Sequence, residues 1–470
     1  MSTERPRWHV LAVVSVASFM VYMDATVVIV AFPRLQASFA HATRAELSWT
    51  LYGYSVIFAA LLVPSGRWGD MLGRTRSFNV GLILFAAASG ACSAAPSPAV
   101  LIGCRLVQAA GGALLVPNAQ ALLMQAFPSS ERAFAVGLFS GAGAIAAAVG
   151  PSLGGLLVNL TSWRFIFLIN VPVGAVALTY GRRALTSSQE RRAAVASPDL
   201  LGVVLLTGGV GAVTLALTQG ASWGWESAPV LGCLLAGCAL LPLFVLRCAR
   251  HPAPVVEIAL FRERQIAVAN IASLIFAAAF FGVLFAGVLF LTTVWGYSPL
   301  HTGLGMTPAP ALALIAAVGG GRLTDRYGPR CVVLPGAALF ALGAGWAFAA
   351  TALHPDYLDG WLPATFLIGV GVGLAAPALN STAVIALSEA RYGVGSGVNG
   401  MMRQLGAALG AAAVVAIVGD PSRATAVASF RAAWLFAAGA SALTFVLALM
   451  IPPLPRAGPQ RFLSLSADRH

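Results

Sequence analysis

Gly66-Arg67-Trp68-Gly69-Asp70-Met71-Leu72-Gly73-Arg74 returns in altered form as Gly321-Arg322-Leu323-Thr324-Asp325-Arg326-Tyr327-Gly328-Pro329-Arg330. Each copy follows the second in a series of long apolar runs, so the recurrence divides the chain into two similar halves. The glycines permit a tight turn between helices. Asp70 is placed to meet a helix N-terminus, and Arg74 to pair with carboxylates. An ordinary solvated turn is the simpler alternative. Repeated halves built from apolar segments are a hallmark of transporters with a site at the repeat interface.

Outward from these loops, apolar runs fall at 8–32, 48–66, 78–96, 99–124, 133–158 and 165–181, then 200–218 and 228–246, then 266–292, 302–321, 331–351, 361–387, 396–418 and 431–451. A spanning helix needs about 20 apolar residues, so the reading is six helices, two extra helices and six more. Composition agrees: 59% of the 470 residues are hydrophobic and 9% are charged, against roughly 25% charged in soluble domains. A soluble enzyme or a nucleic-acid binder is excluded on these grounds, although the formal charge is +12. Every basic residue other than histidine is Arg, which with the Ala and Gly content hints at a GC-rich bacterial genome.

The arginines account for the charge. Arg67, Arg74, Arg76, Arg132, Arg182, Arg183, Arg247, Arg250, Arg262, Arg264, Arg322, Arg326 and Arg330 all fall in alternate loops, on the side shared by both termini. Cytoplasmic loops collect positive charge, so both termini are expected in the cytoplasm of a multi-pass protein of the bacterial inner membrane. Tryptophans such as Trp8, Trp49, Trp68, Trp163 and Trp361 sit at span ends, as an aromatic belt requires. The tracts 182–192 and 247–264 read as solvated loops. The six cysteines form no CxxC pair and read as small hydrophobes, with no metal site expected.

Asp24 is the carboxylate deep in an apolar run. Intramembrane acids are expensive and by default functional. Counting from residue 9 at 1.5 Å per residue, Asp24 lies roughly 22 Å into the first span, and Arg105 roughly 9 Å from the opposite surface in the antiparallel fourth. The two share a depth. Ion pairing favours the charged acid while burial opposes it, a balance suited to proton coupling; a static ion pair is the competing reading. Gly150, Pro151, Gly154 and Gly155 form a small-residue stripe with a kink in the fifth span, which generic helix packing would also explain.

Taken together, Asp24-Ala-Thr-Val-Val-Ile-Val-Ala-Phe-Pro33, the two loops, Arg105-Leu-Val-Gln108, Gly150-Pro151-Ser-Leu-Gly154-Gly155, Trp163-Arg-Phe-Ile-Phe-Leu-Ile-Asn170-Val-Pro172 and Arg403-Gln404-Leu-Gly406 resemble the major facilitator superfamily. The likeness is to its fourteen-helix drug:proton antiporter branch (EmrB/QacA type). Met71 and Thr75 stand where that family usually carries basic residues.

The resemblance implies an all-α integral membrane protein of major facilitator fold. Its N-terminal bundle is residues 1–181, its linker helices and loops 182–265, and its C-terminal bundle and tail 266–470. It implies a non-enzymatic, monomeric exporter of hydrophobic, often cationic small molecules, driven by the proton gradient without a cofactor. Asp24 and Arg105 are expected to couple protons. Gly66, Asp70, Gly73, Arg74, Asp325 and Arg326 are expected to gate, with Gly150, Pro151, Gly154 and Gly155 as the antiporter element. Met20, Tyr52, Gln108, Asn118, Phe280, Asn380, Met402 and Arg403 are expected along the substrate cavity. A lipid or lipoglycan exporter of the same fold, a membrane sensor and a membrane enzyme are the alternatives; the repeated halves and the lack of any soluble domain in the loops argue against the last two.

Overall fold

A computed structural model describes residues 4–128, 131–185, 199–385, 387, 392–419, 422 and 424–452. Among these residues the chain is helical without strands. The first half holds α1 (Glu4–Ser38), α2 (Arg44–Leu72), α3 (Arg74–Ser93), α4 (Pro98–Ala126), α5 (Arg132–Leu160), α6 (Phe165–Leu168) and α7 (Asn170–Ala184). A helix pair follows, α8 (Leu200–Trp223) and α9 (Ala228–Arg250). The second half holds α10 (Arg264–Leu289), α11 (Pro299–Met306), α12 (Pro308–Tyr327), α13 (Arg330–Ala350), α14 (Leu362–Ile385), α15 (Tyr392–Val418) and α16 (Ala426–Ala448).

Each apolar run read from the sequence falls on these helices, and two of the runs are broken. Pro308 has no N–H to continue the ladder, which separates α11 from α12 at Thr307, and Ile169 separates α6 from α7. Among the described residues, eleven helical stretches are long and apolar enough to cross a bilayer. Val149–Leu160 and Phe165–Gly181 supply shorter apolar helix.

The repeated loop is repeated structure. Gly73 closes α2 at φ 99° with its N–H donating to the Gly69 carbonyl, and Gly328 closes α12 at φ 88° with its N–H donating to the Thr324 carbonyl. A constant offset of 255 residues relates Gly66 to Gly321, Asp70 to Asp325, Gly73 to Gly328, Gly81 to Gly336 and Phe85 to Phe340. The last two pairs show why the halves pack alike. Gly81 and Gly111 let the α3 and α4 backbones touch, and a Cβ on Gly111 would stand 2.6 Å from the Phe85 nitrogen. Gly371 meets the Phe340 nitrogen at the same 2.6 Å, joining α13 to α14.

Glycines also bring α5 onto α1, with Gly150 against Thr26 and Gly154 against Val27. Correspondingly α15 meets α10, with Gly406 against the Leu274 carbonyl and Gly410 against that of Ala278. The halves then join along two seams. In one, Gly155 of α5 abuts the Pro299 carbonyl and Gly303 of α11 abuts that of Pro151, with the Ser152 and Thr307 hydroxyls hydrogen-bonded across it. In the other, α2 packs on α15: Leu62 and Val63 face Gly400 and Gly397, and Arg44 donates to the Gly419 carbonyl.

The pair α8–α9 covers this second seam. Leu206, Val210 and Phe244 join Val56, Ala59 and Ala60 of α2 and Met401, Leu405 and Ala408 of α15 in one apolar cluster. Val255, Val256 and Leu260 enter the same cluster, so part of the tract expected to be a solvated loop is buried packing. Its Leu-Phe-Arg run is a short 3-10 turn, Ile258–Arg262.

Both loop glycines occupy backbone conformations that side chains rarely adopt. Gly73→Ala and Gly328→Ala should each lower stability by about 1–3 kcal/mol, read as a lower thermal unfolding midpoint of the detergent-solubilised protein. Gly345→Ala, on an open helical face with nothing within 4 Å of its Cβ position, should leave that midpoint unchanged or raise it.

Candidate functional site

The start of α4 is fixed by Ser97, whose hydroxyl accepts from the Val100 N–H, with Pro98 in the first turn. Two turns on, Arg105 and Gln108 share one helical face at the i, i+3 spacing. Both point at Asp24 of α1. An Arg105 Nη1 ion pair with Asp24 Oδ2 is joined by Gln108 Nε2 donating to Asp24 Oδ1 at 2.9 Å. Asn170 Nδ2, at the start of α7, donates to the same oxygen at 3.3 Å. Ser89 of α3, brought close by the Gly81–Gly111 contact, accepts from Gln108 at 2.7 Å and from Asn170 at 3.4 Å, and donates to the Phe85 carbonyl at 2.8 Å.

The guanidinium is held on every side. Arg105 Nη1 also donates to Gln108 Oε1 at 2.7 Å, and Nε to the Thr50 carbonyl of α2 at 3.0 Å. The Tyr54 ring lies 4.2 Å from its central carbon and the Phe167 ring 5.6 Å, within the range of cation–π attraction. Asp24 and Arg105 are each 1% exposed, and Gln108, Ser89 and Asn170 are fully buried. Four helices of the first half are thus tied through one carboxylate, and removing either ion would leave the other charge buried and unpaired.

The remaining residues singled out in the sequence lie elsewhere. Met20 is buried in the first half's core beside Gly174. Asn118 donates to the Ser65 carbonyl at 3.2 Å and its Oδ1 presses on Gly69, so it pins the end of α2 next to the loop Gly66–Arg74. Phe280 is half-buried with its ring 5.3 Å from that of Phe281. Asn380 in α14 and Met402 in α15 are half-buried, Met402 against the α2–α8–α15 cluster. Arg326 is exposed over the Tyr327 ring, and Arg74 is half-buried. The side chains of Tyr52, Asp70 and Asp325 lie outside the described residues. Of the cysteines, Cys92 and Cys248 are buried, while Cys238 and Cys331 are exposed.

Two buried polar groups were not anticipated. Asn399 of α15 donates to Ser273 Oγ at 2.8 Å and to Asn270 Oδ1 at 3.3 Å, both on α10. Asp199 caps α8, accepting from the Gly202 N–H at 3.0 Å, and pairs with Arg247 of α9 at 3.0 Å. An Asp directly before the apolar run at Leu200 is a helix-start signal in the sequence; nothing in the spacing of Asn399 distinguishes it from other amides. Arg403, one turn beyond Asn399, is half-buried and has no ion-pair or hydrogen-bond partner among the described residues.

Comparison with known proteins places this geometry in context. The Major Facilitator Superfamily model matches residues 14–411. The tetracenomycin C resistance and export protein of Streptomyces glaucescens is 33% identical over 407 residues, covering 86% of this chain and 74% of that protein. The cephamycin export protein of Amycolatopsis lactamdurans is 33% identical over 418 residues, covering 87% and 85%. In fold, the chain resembles the crystal structure of a bacterial homologue of the lysosomal transporter Spinster, with a TM-score of 0.65 at 17% identity, covering 95% of this chain and 98% of that one.

Breaking the buried pair has a signed consequence. Arg105→Gln should destabilise the protein by about 3–5 kcal/mol by stranding the Asp24 charge, and Asp24→Asn should also destabilise by stranding Arg105. The double variant should be more stable than the sum of the two losses by more than about 1 kcal/mol in detergent unfolding. Additivity within about 0.5 kcal/mol would mean the two residues are energetically independent.

Proposed function

The chain belongs to the major facilitator superfamily, whose members are multi-pass membrane transporters and not enzymes, and from that premise we propose that it is a proton-coupled antiporter exporting hydrophobic small molecules such as antibiotics. The bacterial relatives named as antibiotic export proteins support the direction and the cargo. The observation that carries the proton coupling is the sealed Asp24: a single buried carboxylate whose charge holds α1, α3, α4 and α7 in one arrangement. Protonating it removes the anion that Arg105, Gln108 and Asn170 all address. The network must then rearrange, and the helices carrying it move with it.

In this reading the chain crosses the bacterial cytoplasmic membrane fourteen times as a monomer, with both termini inside. Residues 1–181 and 266–470 form two bundles that rock about the α5–α11 and α2–α15 seams, and 182–265 links them. The loops at Gly73 and Gly328 act as gates. The proton gradient supplies the energy without a cofactor; one proton moving inward down the potential is worth about 2.3 kcal/mol per 100 mV. The family resemblance implies cargo that is often cationic, for which a buried acid such as Asp24 is the natural partner. With that carboxylate 1% exposed and hydrogen-bonded at both oxygens, the proposal gives Asp24 the proton and not contact with the cargo.

Purified protein in weakly buffered detergent should release protons when a transported antibiotic is added between pH 6 and 8, and Asp24→Asn should release none. In cells lacking their own pumps, the wild type should raise resistance and lose that effect with a protonophore, while Asp24→Asn should give none. Proton release or resistance that survives in Asp24→Asn would move the coupling to another group.

A further inference from the structure

Arg403 stands in the interior of α15, and among the described residues no ion-pair or hydrogen-bond partner meets its charge. It lies eight residues into the apolar stretch Gly395–Val418, roughly 12 Å along the helix axis, where a cation without a partner is expensive and calls for a reason. Helix packing does not supply one. The offset that relates Gly150 to Gly406 and Gly154 to Gly410 pairs Arg403 with Ala147 of α5, so the equivalent position of the first half carries no charge.

The contacts of α15 fix where that face looks. Asn399, Gly406 and Gly410 face α10; Gly397 and Gly400 face α2. At about 100° per residue, position 403 falls between those two faces, on the side flanked by α2 of the first half and α10 of the second. Val398, Met401 and Leu405 carry the contact with α8 in the buried cluster on the other side. The cation therefore borders the space between the halves. The acid of the first half that would otherwise answer it, Asp24, is enclosed within its own network. One turn before Arg403, the buried Asn399 has an Oδ1 with no hydrogen-bond partner, a second polar group left open on the same helix.

We propose that Arg403 is an anion subsite for the cargo, taking the carboxylate, phenolate or enolate oxygen of an otherwise hydrophobic molecule between the two halves. This rests on the reading of the chain as an exporter of hydrophobic small molecules and names the charge class of its substrates: acids rather than cations. A guanidinium suits the task because it stays charged when desolvated and offers paired donors to an oxyanion.

Two dyes built on the same xanthene core, fluorescein as the anion and rhodamine 123 as the cation, separate charge from size and greasiness. Their binding to the purified full chain in lipid-free detergent, followed by fluorescence anisotropy at pH 7.5, should be tight for fluorescein and weakened about 10- to 100-fold by Arg403→Gln. Arg403→Lys should restore part of it, and rhodamine 123 should bind Arg403→Gln at least as well as the wild type. An unchanged thermal unfolding midpoint of Arg403→Gln shows that the loss is local. The proposal falls if the wild type does not bind fluorescein, if Arg403→Gln binds it equally, or if both dyes weaken together. It also falls if added phosphatidylglycerol displaces fluorescein from the wild type stoichiometrically, since the site would then hold a lipid headgroup. Uptake into proteoliposomes under an imposed pH gradient keeps the two readings apart. Arg403-dependent fluorescein binding with no gradient-driven movement of either dye overturns export and leaves the anion site standing. Gradient-driven rhodamine 123 movement that ignores Arg403, with no fluorescein binding, does the reverse.

Discussion

A carboxylate and a guanidinium removed from water remain charged only while each has the other, and the first half of this chain is arranged around that condition. Each ion on its own would carry a desolvation penalty of several kcal/mol. Asp24 and Arg105 avoid it by pairing; Gln108, Asn170 and the Thr50 carbonyl supply their further hydrogen bonds, and Ser89 accepts from the two amides. Those groups come from different helices, so the network around one carboxylate links α1, α3, α4 and α7. Interior packing is bistable more readily than it is deformable, so in the proposed function a proton arriving at Asp24 selects between arrangements.

Glycine sets how closely the helices of such an arrangement approach. The closest contacts between helices run through backbone: Gly111 on Phe85, Gly371 on Phe340, Gly406 and Gly410 on α10, Gly155 and Gly303 across the seam between the halves. Small residues of this kind let the backbones approach closely. The repeat gives both halves the same hinges, yet it does not give them the same chemistry. The offset of 260 residues that relates Gly111 to Gly371 sets Thr365 opposite Arg105, and α5 has Ala147 where α15 has Arg403. One half holds a neutralised pair; in the other, Arg403 has no ion-pair or hydrogen-bond partner among the described residues. In the proposed function that asymmetry divides proton handling from cargo recognition.

Much of this was legible in the residues. The recurrence of Gly66–Arg74 at Gly321–Arg330 announced two similar halves, and the structure extends it to the left-handed glycines Gly73 and Gly328. Asp24 and Arg105 were placed at one depth by counting residues along antiparallel helices, and the ion pair follows from that count. Gln108 and Asn170 belonged to recognisable stretches, but that their amides converge on one oxygen depends on how α4 and α7 are rotated, which periodicity does not encode. Ser89 was invisible for the same reason: a serine in a small-residue helix becomes a ligand only because Gly81 and Gly111 bring its helix into contact. The burial of Val255, Val256 and Leu260 escaped notice because neighbouring arginines dominate the composition of that tract. The run 302–321 was read as one span; its break into α11 and α12 at Pro308, and the role of α11 in the seam, required the fold.

The central proposal is that Asp24 carries the coupling proton, taking it up when its network changes. Infrared difference spectroscopy of the detergent-solubilised protein, recorded as pH is lowered with and without bound antibiotic, reads that proton directly from the carbonyl stretch of a protonated carboxylic acid. The account predicts a band of this kind that grows on acidification, shifts its midpoint when antibiotic binds, and is missing from Asp24→Asn. A wild-type spectrum identical to that of Asp24→Asn at every pH, with antibiotic present or absent, would contradict it.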